Sequence, residues 1–172
     1  MKLTVRETVV FGMLGAVMYC SKMIMEIAPN IHLLGVFTMA FTLVYRKKAL
    51  YPIYTFVLIT GVMNGFAGWW LPYLYLWAAL WGVTMLLPKR MPEGVACAVY
   101  MIVNALHGFL YGTLYAPAQA LMFGLNFQGM ISWIMTGLPF DMIHGVSNFF
   151  CGMLVMPIIS TLKLAERSAN IN

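Results

Sequence analysis

The sequence predicts an all-α polytopic membrane protein of six transmembrane helices, forming a single domain with both termini cytoplasmic. Three observations carry that expectation. The 172-residue chain is 62% hydrophobic and 9% charged, with a mean hydropathy of +0.85, whereas soluble domains are about one-quarter charged. The stretches 49–88 and 94–140 contain no Asp, Glu, Lys or Arg. At about 20 residues per crossing, each holds whole spans. The basic residues gather at the breaks: Lys2 and Arg6, then Arg46, Lys47 and Lys48, then Lys89 and Arg90, then Lys163 and Arg167. If the spans alternate, all of these fall on one side, which the positive-inside rule makes cytoplasmic. Only Lys22 falls opposite, with Glu26 one helical turn away. The net charge of +5 is therefore a topology signal rather than a nucleic-acid footprint.

Each element follows from local signals. Thr4-x-x-Glu7 has the form of a capping box, so the first span starts there and runs to about residue 27. It is read as retained rather than as a signal peptide, because no small-x-small cleavage site follows. Ala28-Pro29-Asn30 breaks the chain on the outer side, and a short second helix covers about 31–45. The third covers about 49–67, with Pro52 in its first turn, where proline is tolerated. An aromatic outer turn leads into the fourth, about 71–87, which stops at Pro88-Lys89-Arg90. The fifth covers about 93–115. The stretch 116–138 carries Pro117, Gly124, Asn126, Gln128 and Gly129, and is either an outer loop with short interfacial helices or a segment whose second half begins a long kinked helix. The loop is preferred, since it places Pro139 at the start of a sixth helix running over about 139–166.

Two segments read alike. Asn104-x-x-His107-x-x-x-Tyr111 and Asp141-x-x-His144-x-x-x-Asn148 each set three polar side chains at i, i+3 and i+7, one face of a helix. With the sixth helix entering at Pro139, His144 lies roughly 8 Å and Asn148 roughly 14 Å below its outer end. With the fifth leaving near Tyr115, His107 and Asn104 lie roughly 12 and 16 Å below the same surface. Ionisable groups at that depth are costly and mark sites or pathways. The expectation is an outward-facing pocket with Asp141 near its mouth. As helix glue alone the set would be an expensive choice, since interhelical bonds in membranes average about 0.6 kcal/mol.

Trp69, Trp70, Tyr73, Tyr75 and Trp77 crowd the outer turn and Trp133 lies beyond it. They form an interfacial belt, from which Trp69, Trp70 and Tyr73 are candidate stacking walls for a flat heterocycle. Glu26, Asn30 and His32 flank the first outer break, as a gate or as a solvated loop with a helix-end charge pair. Asn64 either reaches the pocket or bonds to a neighbouring helix. Gly12-x-x-x-Ala16-x-x-x-Cys20, Gly61-x-x-x-Gly65 and Gly108-x-x-x-Gly112 are small-residue faces suited to close helix contact. The sixteen methionines supply soft apolar surface. Cys20, Cys97 and Cys151 are scattered as buried structural thiols.

Absent motifs narrow the function. No phosphate-binding G-x-x-x-x-G-K-[ST] loop occurs, so the chain is not its own conventional ATPase. H-E-x-x-H, G-x-S-x-G and paired-cysteine patterns are missing too. The D-x-x-H spacing is too common to imply a metal, and no cofactor is called for.

The run Pro139-Phe140-Asp141-Met142-Ile143-His144-Gly145-Val146-Ser147-Asn148, followed by Gly152 and Pro157, resembles the P-x-D-x-x-H-x-x-x-N opening of the last helix in several substrate-binding S components of energy-coupling factor (ECF) importers. The resemblance covers nearly the whole length in size and topology. It implies capture of a vitamin-like or heterocyclic micronutrient in an outward-facing pocket. It also implies a prokaryotic plasma membrane, and delivery through a transmembrane T component powered by two separate cytoplasmic ATPases, with no chemistry by this chain. The family's T-component contact uses a small-x-x-x-small face of the first helix, matched here by Gly12, Ala16 and Cys20, although the usual A-x-x-x-A is changed at two of these positions. The competing classes are a self-sufficient channel or carrier, and a membrane enzyme using His107, His144 and Asp141 as acid–base groups.

Overall fold

The computed structural model describes residues 2–170. It is all-helical, 84% of the chain, with no strand among the described residues. The helices are α1 (Val5–Met25), α2 (Leu34–Tyr45), α3 (Leu50–Asn64), α4 (Tyr73–Leu86), α5 (Glu93–Phe109), α6 (Tyr111–Phe123), α7 (Phe127–Cys151) and α8 (Val155–Asn170), with single 3₁₀ turns at Arg46–Ala49, Gly68–Trp70 and Gly152–Leu154. Three continuous stretches are long and apolar enough to cross a membrane: Val5–Met25, Glu93–Phe123 and Phe127–Ser168. The exterior fits that solvent. Val5, Leu86 and Leu121, on α1, α4 and α6, are 84%, 85% and 84% exposed, among many large apolar side chains left on the surface.

The capping box forms as the sequence implies. Thr4 Oγ1 accepts from the Glu7 amide at 3.1 Å, and Glu7 Oε2 accepts from the Thr4 amide at 3.0 Å. Glu7 also pairs with Lys48, joining the start of α1 to the turn after α2. From there α1 lies along α3, where a Cβ on Gly15 would come within 2.6 Å of the Thr55 side chain. The Gly12 side of α1 is open, with nothing within 4 Å of a Cβ built there.

α2 sits at the centre, with Val36, Met39 and Ala40 buried against α4, α5 and α8, and Leu34 and Phe41 buried against α1, α3 and α4. Its 12 residues cover about 18 Å, shorter than a bilayer core of about 30 Å. Of its two buried hydroxyls, Thr38 Oγ1 has no partner and Thr42 turns back on its own helix. Thr42 bonds the Thr38 carbonyl at 2.6 Å, and Thr60 and Thr84 do likewise in α3 and α4 at 2.8 and 2.7 Å.

The most extensive packing is between α5 and α7. Glycine sets their separation: a Cβ on Gly108 would meet the His144 carbonyl oxygen at 2.7 Å, and one on Gly152 would meet the Met101 Cα at 2.6 Å. Backbone rather than a movable side chain is the obstacle in both cases.

The stretch 116–138 differs from the preferred loop. The fifth helix bends at Leu110 and continues as α6 through Pro117 to Phe123, and α7 begins at Phe127 and carries Pro139 in its interior. The breaker residues act as caps of one tight turn instead. Gly124 takes the left-handed conformation (φ 62°) that ends α6, and Asn126 Oδ1 accepts from the Gly129 amide at 2.8 Å to start α7. Packing of α6 on α7 carries both helices past their prolines. The third helix is shorter than expected, ending at Asn64 because Gly65 turns the chain away at φ 89°.

Gly108→Ala and Gly152→Ala are each expected to lower stability by about 1–3 kcal/mol through overpacking. Gly12→Ala, in open space, is expected to be neutral or stabilising by up to about 1 kcal/mol. Thermal unfolding in detergent, scored side by side, checks both.

Candidate functional site

The two look-alike segments face one another across the α5–α7 contact. Asn104 Nδ2 donates to the Asn148 carbonyl at 2.8 Å, and Asn148 Nδ2 donates to the Asn104 carbonyl at 3.3 Å, a reciprocal clasp between helices. Both side chains are buried. Asn104 fits only because Gly35 of α2 has no side chain where its Oδ1 lies. One helical turn nearer the 124–126 turn, His107 and His144 are each 7% exposed, so neither ring lies on the surface. A further turn in that direction, Asp141 Oδ1 accepts from the Gly112 amide at 2.9 Å. That amide belongs to the first turn of α6, where N–H groups lack intrahelical partners and an acidic side chain is favoured.

The depths keep their match although both helices are longer than expected. Counted from the 124–126 turn, His107 lies about 24 Å along α6–α5 and His144 about 26 Å along α7. The first arm extends past its expected end at 115 by about 12 Å and the second starts about 18 Å before Pro139.

Around the imidazoles the structure builds an aromatic cluster. His144 stacks on Tyr111 with centroids 4.7 Å apart and planes 27° apart. His32, from the α1–α2 connection, lies 5.0 Å from His144 and 6.0 Å from Trp77. Trp77, fully buried in α4, is 5.7 Å from His107 and 6.3 Å from Tyr111. His107 Nε2 lies 3.1 Å from the Leu76 carbonyl. A carbonyl only accepts, so Nε2 carries the hydrogen and the neutral ring presents Nδ1 as an acceptor. The Nδ1 atoms of all three histidines, Trp77 Nε1 and Asp141 Oδ2 are buried without a protein partner. Polar atoms in that state are the exception in folded proteins.

A cavity of about 230 Å³ opens beside this cluster, walled by Tyr111, Tyr115 and Trp133 and edged by Asn30, Asp141 and His144. Tyr115 and Trp133 stack at 5.9 Å with planes 15° apart. His107 is not on it. Tyr111 and Trp77 contact that ring, and it lines a separate apolar groove with Leu80, Leu106 and Leu110. The expected single cavity holding both imidazoles is therefore replaced by two spaces, because aromatic rings occupy the ground between them.

The remaining candidates divide. Tyr73 joins the cluster edge-on to Trp77 at 5.7 Å. Trp69 contributes its carbonyl to the Tyr115 hydroxyl at 2.7 Å and its ring to Tyr73. Trp70 turns the other way, donating to the Val57 carbonyl at 2.8 Å. Asn64 is also elsewhere, accepting from the Tyr19 hydroxyl at 3.1 Å to tie α3 to α1. Glu26 pairs with Lys22 at 2.6 Å. The Asn30 carbonyl accepts from Ser147 Oγ at 3.2 Å, fastening the break onto α7. That fastening brings His32 inside the cluster rather than leaving it in a solvated loop. Trp77 and Trp133 read from the sequence as belt residues and Tyr115 as a helix end, none of them as a site residue. The available signal is spacing: Tyr73 with Trp77, and Tyr111 with Tyr115, recur at i and i+4. Among the described residues no group of three His, Cys, Asp or Glu side chains is placed to hold a metal ion.

No protein-family profile, curated protein or solved structure matches this chain.

A double-mutant cycle on Asn104→Ala and Asn148→Ala is expected to return a coupling energy near 0.6 kcal/mol and no more than about 1.7 kcal/mol. Detergent unfolding of the four variants measures it, and additive losses would show that the clasp holds nothing.

Proposed function

We propose that this chain is the substrate-binding S component of an ECF-type importer in a prokaryotic plasma membrane, capturing a flat, vitamin-like heterocycle from outside the cell. The observation that carries the reading is the 230 Å³ cavity. It joins stacking walls (Tyr111, Tyr115, Trp133) to a carboxylate and an imidazole, Asp141 and His144, that keep unpartnered buried atoms. An apolar pocket with a few convergent polar groups is the ordinary form of a small-molecule site. At about 230 Å³ it is below the usual 300–1,000 Å³, which favours a compact ligand or an outward shift of the α6–α7 turn on loading.

Six spans with both termini cytoplasmic is the topology proposed with it. Support comes from where the charges meet. Arg46, Lys89, Arg90 and Lys163, from three separate parts of the chain, surround one cavity, and Lys48 pairs with Glu7. The Lys22–Glu26 pair lies at the first intervening connection, and the intervening connections are tied to the long helices through Asn30 to Ser147 of α7 and Trp69 to Tyr115 of α6. The short helices α2, α3 and α4 then cross a bundle whose long members are α1, α5–α6 and α7–α8. The Gly12, Ala16 and Cys20 row is the proposed surface for the T component, supported by the open space over Gly12 and the exposure of Cys20. Two cytoplasmic ATPases on other chains supply the energy, and this chain is proposed to do no chemistry itself.

Protein purified from its host is expected to release a small heterocycle on denaturation, identified by mass spectrometry. Asp141→Ala and Trp133→Ala are expected to reduce its occupancy at least tenfold, and His107→Ala much less. Co-purification is expected to bring down a T component and ATPases. Unchanged occupancy in the first two variants would remove the pocket; transport by the chain alone without ATP would instead favour a carrier.

A further inference from the structure

At the end of the bundle away from the aromatic cavity lies a second cavity of about 520 Å³. Its rim carries Arg46 from the turn after α2, Lys89 and Arg90 from the α4–α5 connection, and Lys163 from α8. No carboxylate lines it. The Lys22–Glu26 and Lys48–Glu7 ion pairs use none of these four. Glu93 at the start of α5 is not part of the lining, and Glu166 lines a different cavity with Glu7 and Tyr45. The floor is apolar, including the buried Ala96 and Ile159.

Arg46 is held in place for this arrangement. It is a non-glycine residue at φ 54°, ψ −120°, a conformation that surrounding contacts must maintain. Trp81 Nε1 donates to its carbonyl at 3.1 Å, and its own Nη2 donates to the Met85 carbonyl at 2.8 Å. A guanidinium has five N–H donors, so most are left for a ligand. The fork suits phosphate oxygens.

We infer that this cavity binds the phosphate headgroup of an anionic phospholipid, with the basic rim on the phosphate and the apolar floor beneath the glycerol and first acyl carbons. Charge complementarity argues for the anion: four cations converge with no acid between them. The floor argues for a lipid over free phosphate, which would gain nothing from Ala96 and Ile159. Basic pockets between membrane helices on the cytoplasmic side bind such headgroups.

The test is native mass spectrometry of the full chain in a non-phospholipid detergent, titrated with phosphatidylglycerol or phosphatidylcholine of matched acyl chains. Phosphatidylglycerol is expected to bind at least tenfold more tightly. Replacing Lys89, Arg90 and Lys163 with Gln is expected to weaken it by about fivefold per charge removed, leaving phosphatidylcholine unchanged. A charge-matched control, Lys2→Gln with Lys47→Gln and Arg167→Gln, is expected to lose far less. Equal binding of the two lipids, or equal loss in the control, would overturn the site. Displacement of phosphatidylglycerol by millimolar inorganic phosphate would overturn the lipid assignment.

Discussion

The approach of α5 to α7 is the constraint on which the other features depend. In a bilayer there is no hydrophobic drive to bring helices together, so association rests on close packing and on polar groups finding one another. Gly108 and Gly152 remove the side chains that would hold the backbones apart. Only at that separation do Asn104 and Asn148 reach across to each other's carbonyls, and only then does Asp141 reach the Gly112 amide. The clasp satisfies donors that hydrocarbon would leave bare. It also fixes the register that sets His144 against Tyr111.

Around that seam the structure separates two jobs that one set of residues shares in sequence. Asn104 and Asn148 hold helices, and so in part does Asp141, whose second oxygen is left over. The imidazoles keep unpartnered Nδ1 atoms, as Asn104 and Asn148 keep their Oδ1 atoms, and Trp77 organises the rings by contacting His32, His107, Tyr73 and Tyr111 at once. Its bulk also divides the space, leaving His144 on the aromatic cavity and His107 on an apolar groove. The two ends of the molecule are chemically opposite. One offers aromatic faces with an acid and an imidazole, the other a basic rim over aliphatic carbon.

Much of this was legible before any coordinates. The Thr4–Glu7 cap follows from chemistry three residues apart, and the paired polar faces follow from helical spacing. Other features were not. Pro117, Gly124 and Asn126 mark a break, but local signals do not tell a long loop from a three-residue turn, because the difference lies in whether two helices pack on each other. His32 reads as a loop residue since it follows the Ala28-Pro29-Asn30 break; it is drawn in because Ser147 fastens that loop onto α7, 117 positions away in the chain. Asn64 and Trp70 sit at the expected end of the molecule yet bond within their own corner, to Tyr19 and Val57.

From the sequence alone came the all-helical class, the apolar spans long enough to cross a membrane, and the meeting of the 104–111 and 141–148 segments. Each rests on composition or on a periodicity that a helix imposes whatever surrounds it. Which of those side chains became clasps, which kept free atoms beside a cavity, and which rings lay between them was decided by tertiary packing. A bulky indole from α4 and a glycine-set distance between α5 and α7 determine where empty space is left, and neither quantity is local to the residues that line it.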